Sequence, residues 1–278
     1  MAKNNFKIGF VGVGNMASAI IQGITKAGCI DYGDLYLYDI VDYNLNAFCK
    51  KGAFKACSIV ELTKKCDFIF LCVKPQNFTE ILPEIKKAYN EDKRTVFVSI
   101  AAGIETSTVS NGIGINVPVI RALPNTPMLI GRGVSAICRN EFVSDEEYAV
   151  ACSFFSTAGD VITINELEMN RIISVTSSSP AYVFKFIKAI CDGAEEQGLD
   201  GDALKDTVCN MVIGAAQMML QSEKSPEELI SMVCSKGGTT EKAVDTLNSY
   251  NFSEGIVCAM KKCTERADEL SNINSLKK

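Results

Sequence analysis

The sequence predicts two domains: an α/β domain with a doubly wound, mostly parallel sheet over residues 1–164, and an all-helical domain over residues 165–278. Two observations support this division. Short apolar runs alternate with helical segments up to residue 164. The predicted strand 67–73 is apolar throughout after Asp67, and such a strand requires cover on both of its faces. From residue 165 onward the alternation stops, and every segment has helical character.

The composition is that of a globular protein with reduced thiols. A net charge of -5 provides no basic surface for nucleic acid or for an anionic membrane. The 12 cysteines form no C-x-x-C pair and the chain has no histidine, so we expect no metal site. No apolar run approaches the length of a membrane span, and we expect a cytoplasmic protein. Without imidazole, proton transfer must use other side chains or a substrate that arrives protonated.

The first predicted strand, residues 8–13, ends in a glycine-rich turn. Its pattern, G-x-G-x-x-A, is typical of dinucleotide-binding domains, where it makes a tight turn and lets the backbone approach a pyrophosphate. The N-terminus of the next helix would present free N–H groups to the phosphates. An ordinary strand-to-helix turn is the alternative. The predicted cofactor-binding residues here are Gly12, Gly14, Asn15, Met16 and Ala17.

An acidic residue follows the second predicted strand, residues 35–38. Asp39 stands 25 residues after Gly14, where a carboxylate receives the adenosine ribose hydroxyls. Asp42 lies close behind, and no arginine accompanies it to receive a 2′-phosphate. The sequence therefore predicts that NADH is used well, and it leaves NADPH open if the Asp39 carboxylate turns away.

Three further strands, predicted at 67–73, 95–100 and 118–123, end in loops that face the same crevice, because ligands lie beyond the carboxyl ends of parallel strands. The last loop, Pro-Asn-Thr-Pro, has few conformations to lose. For the lysine in the first loop, a solvated side chain is the alternative. The predicted cofactor-binding residues in these loops are Val73, Lys74, Pro75, Ala101, Ala102, Gly103 and Asn125.

The remaining elements of the first domain complete the alternation. Helices are predicted at 17–24, 44–51 and 59–65, an edge strand at 53–56, and strands at 134–138 and 160–164. Ser144 and Glu147 predict a capping box at the start of a further helix.

Helices fill the second domain. Pro180 lies inside a long segment, 167–196, where it should cause a kink or break. Asp202 is predicted to cap a helix over 203–220, which is apolar nearly all round from residue 209. Such a helix has no solvent face, so we expect an intersubunit bundle in an obligate dimer or larger assembly, with cover by the first domain as the alternative. Later helices are predicted from Pro226, over 242–249 and over 253–270.

A second candidate site is the stretch 235–241, Ser-Lys-Gly-Gly-Thr-Thr-Glu. Two glycines and two threonines at a helix start expose N–H groups and hydroxyls in a concave turn, which suits a small carboxylate. A glycine C-cap leading into a threonine N-cap describes the same backbone, and the two interpretations are compatible.

Together these motifs resemble the pyrroline-5-carboxylate reductases over essentially the whole chain. The glycine loop, Val-Lys-Pro at 73–75, Ser-Ile-Ala-Ala-Gly at 99–103, Pro-Asn-Thr-Pro at 124–127, Ser-Ser-Pro-Ala-Tyr-Val-Phe at 178–184 and Ser-Lys-Gly-Gly-Thr-Thr at 235–240 occur in that family's order and spacing. The resemblance implies an N-terminal Rossmann-like domain and a C-terminal helical domain that intertwines in a homodimer, frequently within rings of dimers. It implies reduction of 1-pyrroline-5-carboxylate to L-proline, the last step of proline biosynthesis, by NAD(P)H and commonly by NADPH.

The resemblance also implies substrate-binding roles. The substrate carboxylate would lie on backbone amides of Gly237, Gly238, Thr239 and Thr240, and the Thr240 hydroxyl would bond the ring nitrogen as the catalytic residue. Glu166 would line the pocket. A cyclic imine is substantially protonated near neutral pH, so the reaction fits a chain without histidine.

The chain departs from the family pattern at three positions. Lys236 stands where the family usually has proline, and Ser177 and Ser179 stand where it has glycines. Lys236 could attract the substrate carboxylate or merely be exposed.

Two other functions remain open at this point. One is a related imine or 3-hydroxyacid reductase on the same two-domain plan, which in the hydroxyacid case needs a lysine general base on the long helix. Lys185 and Lys188 are available there but do not match that family's pattern. The other is a nucleotide-sensing protein without catalysis, and the intact Gly-Gly-Thr-Thr loop argues against it.

Overall fold

The computed structural model describes residues 6–114 and 116–275 of the chain. The chain divides into two compact units, the first made of Met1–Ser178 and Cys263–Lys278 and the second of Ser179–Lys262. The predicted domains, 1–164 and 165–278, are divided where the last predicted strand ends and not by compactness. That division stays a prediction.

The first unit is built on one sheet, which has eight strands along the described residues. Its order is β3-β2-β1-β4-β5-β6-β7-β8. Strands β1 to β6 run parallel, β7 is antiparallel to β6, and β8 is parallel to β7, so the predicted mostly parallel sheet is confirmed. The strands are Ile8–Val11 (β1), Leu35–Tyr38 (β2), Phe54–Lys55 (β3), Phe68–Leu71 (β4), Val96–Ser99 (β5), Val119–Leu123 (β6), Gly133–Arg139 (β7) and Gly159–Thr163 (β8).

Helices cover both faces of this sheet. Side chains such as Ile20 and Phe154 fill the core on one face, and Leu62 and Ile85 fill the core on the other. Each such fully buried side chain stabilises the fold by roughly 1.5–3 kcal/mol. The predicted doubly wound arrangement is therefore confirmed. The helices are Asn15–Lys26 (α1), Asp42–Cys49 (α2), Ile59–Lys65 (α3), Phe78–Lys86 (α4), Thr106–Ile113 (α5) and Asp145–Ser156 (α6).

The described chain after residue 163 contains no strand, as predicted. Its helices are Met169–Ile172 (α7), Ser179–Glu196 (α8), Gly201–Gln221 (α9), Pro226–Val233 (α10), Thr239–Ser249 (α11) and Phe252–Ser275 (α12). The end of α12, from Cys263, belongs to the first unit.

The predicted break near Pro180 is confirmed. A π-helix, Ile173–Ser177, follows α7, and α8 begins afresh at Ser179 with Pro180 as its second residue. At this position the proline needs no N–H partner inside the helix.

Two of the three predicted helix starts are confirmed. The Ser144 side chain accepts the Glu147 N–H and the Glu147 carboxylate accepts the Ser144 N–H, and Pro226 stands at N1 behind Ser225. The prediction for Asp202 is wrong. Asp200 Oδ1 accepts the Ala203 N–H at 2.9 Å, because the buried Gly201 already belongs to the helix.

Helix α9 exposes large apolar side chains in the single chain. Ile213 is 54% exposed and Met218 is 52% exposed. None of the described helices combines the length and the apolarity that a membrane crossing requires. All twelve cysteines are free thiols.

Candidate functional site

The predicted cofactor-binding residues lie at one edge of the sheet. Strands β1, β2, β4, β5 and β6 are parallel, so their carboxyl ends meet there. The glycine loop follows β1, Asp39 follows β2, residues 73–75 follow β4, residues 101–103 follow β5, and Asn125 follows β6. This edge is where open α/β sheets bind ligands.

The two glycines of the loop differ in their surroundings. Gly12 has a φ of +92°, and a Cβ on it would lie 2.9 Å from the carbonyl oxygen of Cys72. Gly14 is the N-cap of α1, and a Cβ there would meet nothing within 4 Å. The space beside Gly14 is therefore open, whereas the space beside Gly12 is filled by backbone.

The N-terminus of α1 suits a pyrophosphate. No side chain caps it, and its first turn, which begins Asn15-Met16-Ala17, contains no acidic residue. Helix N-termini with uncapped N–H groups and open space in front bind phosphate oxygens. Ala17 is 1% exposed, so the helix lies close against the sheet. The residues present thus fit a dinucleotide.

The Asp39 carboxylate is held in a fixed orientation. Its Oδ2 accepts the Val13 N–H at 2.5 Å and its Oδ1 accepts the Val41 N–H at 2.9 Å. Asp42 is engaged separately, since its carboxylate accepts two hydrogen bonds from Lys55 Nζ at 2.8 Å. Turning Asp39 away would break both of its backbone hydrogen bonds.

The loop after β4 contains an exposed lysine. Lys74 precedes a short 3₁₀ helix that begins at Pro75, and its carbonyl accepts the Asn77 N–H at 2.9 Å. Burial raises the pKa of the neighbouring Cys72 thiol, which disfavours its thiolate form. The predicted cofactor roles of Val73, Lys74 and Pro75 stay predictions.

The loop after β5 lies under the end of α12. Gly103 has a φ of +72°, and a Cβ on it would lie 3.1 Å from Leu270 Cβ. Ala101 is 5% exposed. The glycine therefore permits a close helix contact as well as a turn, and the predicted cofactor contacts of Ala101, Ala102 and Gly103 stay predictions.

The Asn125 carboxamide is used inside the first unit. Its Oδ1 accepts the Val134 N–H at 2.9 Å and its Nδ2 donates to the Thr176 carbonyl at 3.0 Å. Asn125 thus ties the end of β6 to β7 and to the π-helix. Its predicted cofactor contact stays a prediction.

The loop at 235–240 belongs to the second unit, Ser179–Lys262. Gly237 has a φ of +73°, and a Cβ on Gly238 would lie 2.9 Å from the Ser235 carbonyl oxygen. Lys236 is exposed. The turn that the Gly-Gly pair predicted is therefore present.

Two of the four amides predicted to hold the substrate carboxylate have partners within the loop. The Gly237 N–H donates to Glu241 Oε2 at 2.7 Å, and the Gly238 N–H donates to the Ser235 carbonyl at 2.9 Å. Thr239 and Thr240 are the first residues of α11 and its N-cap is Gly238, so the threonine N-cap suggested by the sequence is wrong and no side chain caps this helix. An anion thus already lies on Gly237, and the N-terminal amides of the helix are the better candidates for a second.

Glu166 lies in a cluster that sequence patterns did not indicate. Its Oε1 accepts the Thr106 N–H at 2.7 Å and its Oε2 accepts the Thr106 hydroxyl at 2.5 Å. Arg121, 1% exposed, places Nη1 3.8 Å from Glu166 Oε1. The signal available in the sequence was an arginine inside the apolar strand 119–123, because a buried charge requires a partner.

Ser177, where the resembling family has glycine, places a buried Oγ that finds no partner among the described residues. The described residues hold no cluster of three or more potential metal ligands.

Family models match two parts of the chain. Residues 166–270 match the model described as pyrroline-5-carboxylate reductase dimerisation, and residues 7–103 match that of the NADP oxidoreductases, coenzyme F420-dependent.

Curated proteins and solved structures match nearly the whole chain. Pyrroline-5-carboxylate reductase of Escherichia coli K12 is 35% identical over 266 residues, 95% of this chain and 98% of that protein. The Methanosarcina acetivorans enzyme is 30% identical over 96% of this chain and 98% of that protein. Two crystal structures have the same fold. That of Plasmodium falciparum pyrroline carboxylate reductase with NADP bound has 26% sequence identity and a TM-score of 0.89, and the match covers 97% of this chain and 100% of that chain. That of the Coxiella burnetii pyrroline-5-carboxylate reductase has 31% sequence identity and a TM-score of 0.87, and the match covers 96% of this chain and 99% of that chain. The order of the motifs and the predicted cofactor-binding residues at the strand ends agree with these full-length similarities. This chain belongs to the pyrroline-5-carboxylate reductase family.

Proposed function

We propose that this chain reduces 1-pyrroline-5-carboxylate to L-proline with NADH or NADPH. The observation that carries the proposal is the uncapped N-terminus of α1 behind Gly12 and Gly14, in a chain that also contains the Gly-Gly-Thr-Thr helix start. The first feature suits a dinucleotide and the second suits a small carboxylate. Together they suit an oxidoreductase that reduces a small carboxylate-bearing substrate such as 1-pyrroline-5-carboxylate.

The strand edge would hold the cofactor. The N-terminal amides of α1 would take the pyrophosphate, and the fixed Asp39 carboxylate would accept the adenosine ribose hydroxyls. The predicted contacts at 73–75, at 101–103 and at Asn125 would border the nicotinamide half. When bound, the reduced nicotinamide supplies a hydride to the imine carbon.

The chain's own residues would position and polarise the substrate. The amides of Thr239 and Thr240 would fix its carboxylate, and the Thr240 hydroxyl would bond its ring nitrogen. The Glu166 carboxylate would face the protonated ring, whose positive charge favours attack without an enzymic imidazole. Holding both reactants in one geometry is worth up to ~7–11 kcal/mol of the barrier.

The helical domain is the proposed dimer interface. Residues 166–270 match the dimerisation model, and α9 exposes apolar side chains such as Ile213. We therefore propose a homodimer through the helical domain, with rings of dimers as a further level, in the cytoplasm. The hydroxyacid-reductase alternative gains nothing from Lys188, whose Nζ is paired with Asp192 at 2.7 Å.

The test is NAD(P)H oxidation on addition of 1-pyrroline-5-carboxylate, with proline identified as the product.

Thr240→Ala should lower kcat by about tenfold to a hundredfold, because one positioned hydrogen bond is lost, while dinucleotide affinity stays within about twofold. Thr240→Ser should recover most of the rate. Loss of dinucleotide binding in Thr240→Ala would remove Thr240 from the substrate site, and no oxidation by the wild type would reject the function.

A further inference from the structure

A buried arginine lies directly behind Glu166. Arg121 is in the middle of β6, between the buried residues Ile120 and Ala122, and is 1% exposed. Burial lowers the pKa of its guanidinium, and the nearby Glu166 carboxylate opposes that effect. A charge at such a position is costly unless it is paired and hydrogen-bonded. The partners of the Arg121 guanidinium therefore indicate its role.

The guanidinium has two partners in one short segment, residues 166–170. Nη2 donates to Asn170 Oδ1 at 2.7 Å, and Nη1 lies 3.8 Å from Glu166 Oε1. The Asn170 amide in turn donates to Asp268 Oδ1 at 2.9 Å, on the end of α12. The arginine thus connects the sheet to the segment around 166–170 and, through that segment, to α12.

Glu166 is held on its other side by the start of α5. Thr106 is the first residue of α5, and it gives the carboxylate both its backbone N–H, at 2.7 Å, and its hydroxyl, at 2.5 Å. A helix N-terminus attracts a negative charge there. The Glu166 side chain nevertheless remains 30% exposed, so part of it is open to solvent.

We propose that Thr106 and Arg121 are positioning residues that fix the Glu166 carboxylate, as an anion of set orientation, for the protonated ring of the substrate. The inference rests on the proposed function and names two residues that do not touch the substrate. Water could satisfy a carboxylate that is partly exposed. Two hydrogen bonds from one threonine and a buried cation behind it instead remove its rotational freedom, which is how positioned site residues are supported.

The deciding variant is Thr106→Val, since removal of a buried arginine can unfold the chain. It deletes the hydroxyl bond to Glu166 and keeps the backbone N–H. We expect the KM for 1-pyrroline-5-carboxylate to rise about tenfold while the KM for the dinucleotide stays within about twofold. Proline affinity, measured by calorimetry without turnover, should fall in parallel. Arg121→Lys, which keeps the charge, should have a smaller effect than Arg121→Met.

A double-mutant cycle tests whether Thr106 acts through Glu166. If it does, Thr106→Val/Glu166→Gln should be no worse than Glu166→Gln alone, because the two changes remove one shared interaction. The matched control is Thr95→Val, since Thr95 is also buried and its hydroxyl donates to the Cys66 carbonyl at 3.2 Å. It should leave both KM values unchanged.

Additive effects, or a Thr106→Val enzyme with unchanged substrate KM and proline affinity, would overturn the inference. The same would follow if Thr95→Val raised the substrate KM as much as Thr106→Val. Failure of the proposed function is a different result, because it would appear in the wild type as no NAD(P)H oxidation with this substrate.

Discussion

At the scale of single residues, we expect Asp39 to set which dinucleotide the site prefers. Two backbone N–H groups, of Val13 and Val41, hold its carboxylate at the end of β2. A 2′-phosphate ~5 Å from that carboxylate would be repelled by about 3 kcal/mol at an effective dielectric of ~20, or about two orders of magnitude in affinity. We therefore expect the wild type to have a higher kcat/KM with NADH than with NADPH.

Asp39→Ser should move this preference toward NADPH by about tenfold to a hundredfold, because it removes the charge and leaves a hydroxyl. The measurement is kcat/KM with each cofactor. Asp34→Ser is the control, since Asp34 lies just before β2, at the opposite end of the strand. A wild type that strongly prefers NADPH would contradict this prediction.

A second residue-scale prediction concerns Glu241. Its carboxylate accepts the Gly237 N–H at 2.7 Å, where the family resemblance places the substrate carboxylate. Two negative charges ~5 Å apart in water repel each other by about 0.8 kcal/mol. Glu241→Gln keeps an acceptor and removes the charge, so the substrate KM should fall by about twofold to fourfold at low salt.

The Glu241 effect should fade as salt screens the exposed charges. Glu227→Gln, which neutralises an exposed first-turn glutamate on α10, is its control and should change little. An increase of the substrate KM in Glu241→Gln would mean that the glutamate organises the loop and does not compete with the substrate.

At the scale of elements, Gly103 fastens the end of α12 to the loop after β5. Gly103→Ala introduces a Cβ 3.1 Å from Leu270 Cβ on a backbone with φ of +72°. Gly131 has the same φ, but a Cβ there meets nothing within 4 Å. The backbone penalty, roughly 1–2 kcal/mol, is therefore common to both substitutions, and only Gly103→Ala adds a clash with the helix.

The free energy of unfolding, from urea titration, should fall by about 1 kcal/mol more in Gly103→Ala than in Gly131→Ala. Amide exchange should also rise at 263–273 in Gly103→Ala alone. Equal losses in the two variants would show that the helix contact carries no stability.

Local patterns predicted every strand and most helices of the first domain, but not the helices Phe78–Lys86 and Thr106–Ile113. Strand β2 and helix α3 have the predicted bounds, 35–38 and 59–65, and the Ser58 side chain accepts the Glu61 N–H at the start of α3. Helix α11 begins at Thr239, three residues before the prediction of 242, so the predicted carboxylate loop includes a helix start. The contacts of Arg121 and the return of α12 join segments far apart in sequence, and no local periodicity encodes them.

At the scale of the whole molecule, the apolar surface of α9 predicts the oligomeric state. Ile213 and Met218 are more than half exposed in the single chain, and soluble monomers rarely leave large contiguous apolar patches in water. Residues 166–270 match the dimerisation model. A second copy is therefore the expected cover, and light scattering of the wild type at micromolar concentration should give at least twice the mass of one chain.

Ile213→Glu should shift that mass toward the monomer, because an unpaired carboxylate in an apolar interface costs several kcal/mol. Ala149→Glu adds the same charge at an exposed position of α6 and should leave the mass unchanged. A monomeric wild type, or an Ile213→Glu variant of undiminished mass, would mean that another surface assembles the protein or that α9 is covered within its own chain.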